Sequence, residues 1–236
     1  MKIAAVCCTY LRPIELAHLV RCFEQQDYAD RELVILDDAG QYDSTQGDRW
    51  RLISVSPRCA TLGEKRNAAA ALVSADVEAL AVWDDDDLYL PWALSASVAA
   101  LRRAPWSRPS LVLHLTPEGL LRQHRTGGLF HGGWAYRRSV FRHCGGYPPC
   151  NNGEDQQLAA RLVRAHVGQA DPVRLGFPPF YVYRWGSNRH LSCMGPDGYR
   201  RLGALRAERT TLVPADPPDV DLGNPPILPG IHRRLF

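Results

Sequence analysis

The sequence predicts an α/β fold, a single domain built on a mixed, mostly parallel sheet with helices on its faces. Short apolar runs at 2–8, 32–36, 52–55 and 79–83 read as strands, and stretches of helical periodicity separate them. The resulting order of strand, helix, strand, strand, helix, strand suits parallel strands joined by crossovers. Two of the strands end in carboxylates, Asp37-Asp38 and Asp84-Asp85-Asp86-Asp87. That puts acidic groups at the C-terminal edge of the sheet, where open α/β sheets bind ligands. With 236 residues, 45% of them hydrophobic, the chain can bury one sizeable core.

Each element has its own local reason. Lys2 to Cys8 is apolar enough for a buried strand, and Thr9-Tyr10-Leu11-Arg12-Pro13 breaks it. Pro13 suits the start of a helix that runs to about Gln25, with Leu16, Leu19, Val20 and Phe23 on one face. Glu32 to Leu36 and Leu52 to Val55 follow as strands. Gly63 opens an alanine-rich helix to about Ser74, and Ala79 to Trp83 is the next strand. Pro91 is expected in the first turn of a helix that ends near Arg103. Ser110 to Leu115 and Gly119 to Gln123 can pair around Thr116-Pro117, and Arg125 to Gly133 reads as a glycine-rich loop. Trp134 to Arg137 is a candidate strand, Ser139 to His143 a helical turn, and Gly145 to Gly153 a run of turns. Glu154 to Ala165 is a helix with Leu158, Leu162 and Val163 inward. Phe180 to Trp185 is a late strand, and Gly198 to Arg209 a final helix. After Val213, prolines at 214, 217, 218, 225, 226 and 229 exclude a continuous helix.

Four adjacent carboxylates repel one another, so they need a cation, raised pKa values or access to water. Hard oxygen ligands suit Mg²⁺ or Mn²⁺. The plainer alternative is a solvated acidic turn with one aspartate capping the following helix. The net charge of +3 is too weak to argue for nucleic acid by itself. The seven cysteines include no CxxC pair, which predicts reduced thiols in a cytoplasmic protein instead of a disulfide frame or zinc site. The opening Met1 to Cys8 is too short for a signal peptide, and no stretch approaches the ~20 apolar residues of a membrane span.

Taken together, the motifs resemble family-2-type glycosyltransferases of the GT-A fold over roughly residues 3–192. The pieces occur in the family's order: Thr9-Tyr10-Leu11-Arg12-Pro13 after the first strand, then Leu33 to Asp38 as a strand ending in an aspartate pair. Gly63-Glu64-Lys65-Arg66-Asn67-Ala68-Ala69 matches a G-x-x-R-N-x-A helix start, and Asp84-Asp85-Asp86 a DxD motif. Gly132-Gly133, Gly145-Gly146-Tyr147 and Gly153-Glu154-Asp155 match its acceptor-side elements. The resemblance implies a nucleotide-sugar donor, a UDP-sugar foremost, and a divalent ion, Mn²⁺ or Mg²⁺, on its diphosphate. It implies Asp86 as direct metal ligand, Asp84 near the donor ribose, and Asp85 and Asp87 as supporting or helix-capping groups. Thr9, Asp37, Asp38 and Arg66 would meet the nucleotide, with an aspartate of the pair accepting from the uracil N–H. Asp155 would be the base of an inverting transfer, taking the acceptor proton, with Glu154 orienting the acceptor. His190 would complete the metal site, and Trp134 and Tyr147 would line the acceptor pocket. Each residue also has a bland alternative. Asp37 and Asp38 could cap a turn, Glu154 and Asp155 favour any helix start, and Trp134 could be core.

On this reading 1–213 form the GT-A domain, with a nucleotide-sugar half at 1–103 and an acceptor half at 104–213; 214–236 are a Pro-rich tail. The tail has no counterpart in the family pattern. The acceptor stays open among a glycan, a lipid, a protein, a small molecule and a modified nucleic-acid base. A sugar-phosphate nucleotidyltransferase would carry a Gly-rich basic loop where Thr9 to Pro13 stand. A phosphatase would carry its aspartates after the first strand. A non-catalytic nucleotide- or carbohydrate-binding module would keep the donor pocket and need no base.

Overall fold

A computed structural model of the chain describes residues 1–115, 121–184 and 213–214. The elements in order are β1 (Ile3–Thr9), α1 (Pro13–Glu24), β2 (Arg31–Asp37), β3 (Thr45–Gly47), β4 (Trp50–Ser54), α2 (Leu62–Ala71) and β5 (Ala79–Asp84). Next come β6 (Leu88–Tyr89), α3 (Ala93–Leu101), β7 (Trp106–Ser107), β8 (Leu111–Leu115) and β9 (Leu121–Arg125). A 3-10 turn (His131–Gly133) leads into β10 (Ala135–Arg137), α4 (Arg138–His143), α5 (Glu154–Arg164), β11 (Gln169–Ala170), β12 (Tyr181–Arg184) and β13 (Val213–Pro214).

The central sheet has the order β11-β7-β10-β5-β1-β2-β4-β3. β1 pairs parallel with both β2 and β5, and β2 parallel with β4, while β10 and β3 run antiparallel to their neighbours. The predicted mostly parallel sheet is therefore present. Residues alternate between its faces. Ile3, Ala5, Cys7, Leu33 and Ile35 pack with Leu16, Leu19 and Phe23 of α1 and Leu94 of α3. Ala4, Val34, Leu80 and Val82 belong to a second cluster with Ala70 of α2, Phe141 of α4 and Leu158 and Leu162 of α5. A smaller sheet, β13-β9-β8-β12-β6, stands beside the central one.

Several expectations are corrected. Pro91 lies before α3, whose N-cap is Trp92, and no aspartate caps that helix. The acidic run does not lead straight into a helix; it turns from β5 into β6, which pairs antiparallel with β12. The strands β3, β7 and β11 have two or three residues each, too short to carry a sequence pattern. The described part of the strand expected at Gly119 to Gln123 is β9, which continues to Arg125, and Val163, expected inward, is exposed. The expected helix over 198–209 and most of the Pro-rich tail lie outside the described residues. The six described cysteines are free. No helix among the described residues is long and apolar enough to cross a membrane.

Candidate active site

Register brings the acidic strand ends together. Thr9 at the end of β1 is opposite Asp37 of β2, and Cys8 is opposite Asp84 of β5. Beyond this edge lies a groove of about 510 Å³, lined among others by Thr9, Arg12, Asp38, Lys65, Arg66 and Asp84 to Asp87.

The four aspartates form one tight turn, in which the Asp87 N–H donates to the Asp84 carbonyl at 3.4 Å. Trp83 and Tyr89 stack across its base at 4.1 Å between ring centroids, and the Tyr89 hydroxyl accepts from the Asp84 N–H at 2.7 Å. The turn sends the carboxylates to different partners. Asp84, the most open at 26% exposed, meets Arg66 at 3.0 Å. Asp85 accepts from the Thr9 hydroxyl and from Arg12, both at 2.8 Å. Arg12 also stands 2.8 Å from Asp86. Asp87 is buried, accepting from the Tyr181 hydroxyl and, at 2.9 Å, from the Arg184 N–H. Burial pushes Asp85 up to about 6, against the pull of Arg12. Burial, with the charges of Asp86 and Asp84, pushes Asp87 well above the usual carboxylate range.

On the side of the groove facing β2 and α2, Lys65 pairs with Asp38 and donates to the Thr9 carbonyl at 2.6 Å. Asp38 also accepts from the Cys59 N–H at 3.1 Å. Tyr10 lies beneath the Arg58 guanidinium, 4.1 Å from its ring centroid. Asp37 is fully buried and closes a local turn, accepting from the Ala39 and Gln41 N–H groups and the Ser54 hydroxyl. Of the aspartate pair, it is Asp38 that lines the groove. Thr9 likewise has its hydroxyl committed to Asp85.

The start of α2 joins the acidic turn to the loop before α5. Thr61 caps it, its hydroxyl accepting from the Glu64 N–H at 3.2 Å. A Cβ on Gly63 would stand 1.8 Å from the Pro148 carbonyl oxygen, so only glycine allows this approach. Arg66 reaches Asp84 and also lies 3.3 Å from Glu154, a charge contact without hydrogen-bond alignment. Burial raises the Glu154 carboxyl despite Arg66. Asn67 docks the Tyr147 backbone, which holds the Tyr147 ring beside the Arg66 guanidinium.

The other predicted residues fall elsewhere. Asp155 begins α5 next to Glu154, half-buried, and accepts from the Gln156 N–H at 2.8 Å. Trp134 corrects the expectation of a pocket residue: at 1% exposed it packs edge-on against Trp106 and His131 in the core. Tyr147 is likewise buried. His190 lies outside the described residues. Sequence reasoning did not assign Arg12, Arg58 or Tyr10 to the site; for Tyr10 and Arg12 the available signal was their aromatic and basic character just after the first strand, whereas Arg58, in the loop after β4, carried none.

Among the described residues, no cluster of three or more His, Cys, Asp and Glu is arranged to hold a metal ion. The donor chemistry still fits a divalent ion. Carboxylate oxygens of Asp84 and Asp86 are hard ligands, and a guanidinium already stands as a cation between Asp85 and Asp86.

No family model matches the sequence, and no curated protein matches it. Solved structures do match in fold. S. aureus TarS 1-349 in complex with UDP-GlcNAc superposes with a TM-score of 0.61 at 16% identity, over 87% of this chain and 66% of that one. S. aureus TarS 1-349 gives 0.59 at 14% identity, over 89% and 65%. The mannosyltransferase PcManGT from Pyrobaculum calidifontis, in complex with GDP-Man and Mn²⁺, gives 0.59 at 16%, over 88% and 62%. The chain thus spans just under two thirds of the length of these neighbours. The fold is the GT-A-like α/β fold that these neighbours share.

Proposed function

We propose that the protein is a glycosyltransferase that moves a sugar from a nucleotide diphosphate, a UDP-sugar foremost, to an acceptor hydroxyl. One observation carries the reading: the Asp84–Asp87 turn opens on the same groove as Asp38, Lys65 and Arg12, at the C-terminal edge of β1, β2 and β5. Such a groove offers oxygen ligands for a cation and basic groups for phosphates. The fold neighbours support the donor class, since one carries UDP-GlcNAc and another GDP-Man with Mn²⁺.

In this reading Asp86 and Asp84 would hold Mn²⁺ or Mg²⁺, with His190 as a further candidate ligand. The ion, when bound, would neutralise charge on the departing diphosphate. Asp38, Lys65 and Tyr10 bind the nucleoside end, and Asp85 and Thr9 brace the turn. Asp155 takes the acceptor hydroxyl proton as that oxygen bonds to the anomeric carbon. The bond from that carbon to the phosphate oxygen breaks, its electron pair leaves with the nucleotide, and configuration inverts. Glu154, held by Arg66, orients the acceptor.

The test is nucleotide release from a panel of UDP- and GDP-sugars with Mn²⁺, beside Asp155→Asn. The expected result is turnover by the wild type, lowered about 10²–10⁴-fold in the variant, with donor binding intact. Donor binding without any turnover, unchanged by the substitution, would instead indicate a binding module.

A further inference from the structure

Arg12 has a position that the donor reading does not by itself require. Its guanidinium lies 2.8 Å from Asp85 Oδ1 and 2.8 Å from Asp86 Oδ2, and its side chain is only 13% exposed. The local backbone is committed to this placement. Leu11, just before it, has φ 54°, a left-handed conformation that costs a non-glycine residue energy. Pro13 just after it starts α1, and the Arg12 carbonyl accepts from the Leu16 N–H at 3.0 Å. Arg12 is the N-cap residue of α1, yet its side chain makes no cap hydrogen bond. The side chain goes to the acidic turn instead.

One guanidinium thus does for two neighbouring carboxylates what a metal ion would do: it removes their repulsion. It also competes with that ion, because a second cation at Asp86 would face the Arg12 charge a few ångströms away. A planar fork released from Asp86 at the mouth of this groove is suited to a diphosphate, which accepts two hydrogen bonds at once. Resting on the donor reading above, we propose that Arg12 is a latch on the acidic turn. It guards Asp85 and Asp86 while the groove is empty, yields Asp86 to the divalent ion, and transfers its guanidinium to the donor diphosphate. The ion and the donor then bind well only together.

The experiment is Mn²⁺ titration followed by electron paramagnetic resonance of the free ion, on the wild type and Arg12→Gln, with and without UDP. UDP affinity is measured in parallel by calorimetry. Without UDP, the variant should hold Mn²⁺ at least roughly tenfold more tightly, as expected for removal of one competing charge at about 4 Å. With Mn²⁺ present, the variant should bind UDP roughly tenfold more weakly. Arg12→Lys keeps the charge and loses the fork, so it should still repel free Mn²⁺ while binding UDP weakly. If circular dichroism shows Arg12→Gln unfolded, Arg12→Met retains the apolar stem and takes its place. Unchanged Mn²⁺ affinity without UDP would overturn the latch, even if UDP affinity fell, because Arg12 would then be a phosphate ligand only. If no protein bound Mn²⁺ and UDP together, the donor reading would fail and take the latch with it.

Discussion

Asn67 exchanges two hydrogen bonds with the backbone of Tyr147: its Nδ2 donates to the Tyr147 carbonyl at 2.8 Å, and its Oδ1 accepts from the Tyr147 N–H at 2.9 Å. Eighty residues apart in sequence, the pair welds the first turns of α2 to the loop before α5. Its neighbours serve the same junction. Gly63 allows the loop to approach, and Arg66 reaches both Asp84 and Glu154. The G-x-x-R-N pattern therefore has a mechanical reading, a clamp between the acidic turn and the helix that carries Asp155.

Asn67→Ala should leave the Tyr147 N–H and carbonyl without these partners. A loss of about 1–3 kcal/mol is expected, the usual cost of unsatisfied buried polar groups. Urea denaturation measures it. Transfer activity should fall further than stability alone explains, because Tyr147 would no longer be held beside Arg66.

Arg66→Ala should be the more severe change. It leaves Glu154 buried and Asp84 part-buried without their shared cation, and breaking such a pair costs about 3 kcal/mol or more. Arg66→Lys keeps one charge but cannot span both carboxylates, so an intermediate loss in urea midpoint is expected. Equal loss in both variants would refute the bridging role.

His131 gives the fold an acid weakness. It is buried beneath Tyr147, whose hydroxyl lies 3.0 Å from Nε2, and its Nδ1 has no hydrogen-bond partner. Burial lowers its pKa to about 3, Arg66 adds to the effect and Asp84 opposes it. The unfolded chain therefore takes up a proton near pH 6.5 that the folded chain refuses until about pH 3. His131 holds its full contribution above pH 6.5, and stability should fall as pH drops through that window, by an order of a few kcal/mol. His131→Gln should flatten the pH dependence between about pH 6.5 and 4. Chemical denaturation at a series of pH values tests this.

The sheet and its acidic edge were legible because their signals are local. The apolar runs of β1, β2 and β5 are buried along nearly their whole length, and each ends on a polar residue. The smaller strands were not, because two residues of β7 or β11 show no period, and their pairing is set by distant neighbours. Asp37 could not be separated from Asp38 in sequence, since closing a turn and accepting from a ligand use the same carboxylate. Trp134 was ambiguous for a like reason: a buried aromatic and a pocket aromatic are written identically. Arg12 went unassigned because its partner Asp85 lies 73 residues away. The four aspartates had invited an ion to relieve their repulsion, and much of that relief comes from arginines already in the chain.

Calorimetric titration of UDP into the protein, with and without Mn²⁺ and beside Asp86→Ala, tests the central claim most directly. The account predicts UDP binding that requires Mn²⁺ and is lost in the variant. Failure of UDP, GDP, CDP and dTDP alike to bind, with or without Mn²⁺, would contradict it and reduce the four aspartates to an arginine-braced turn.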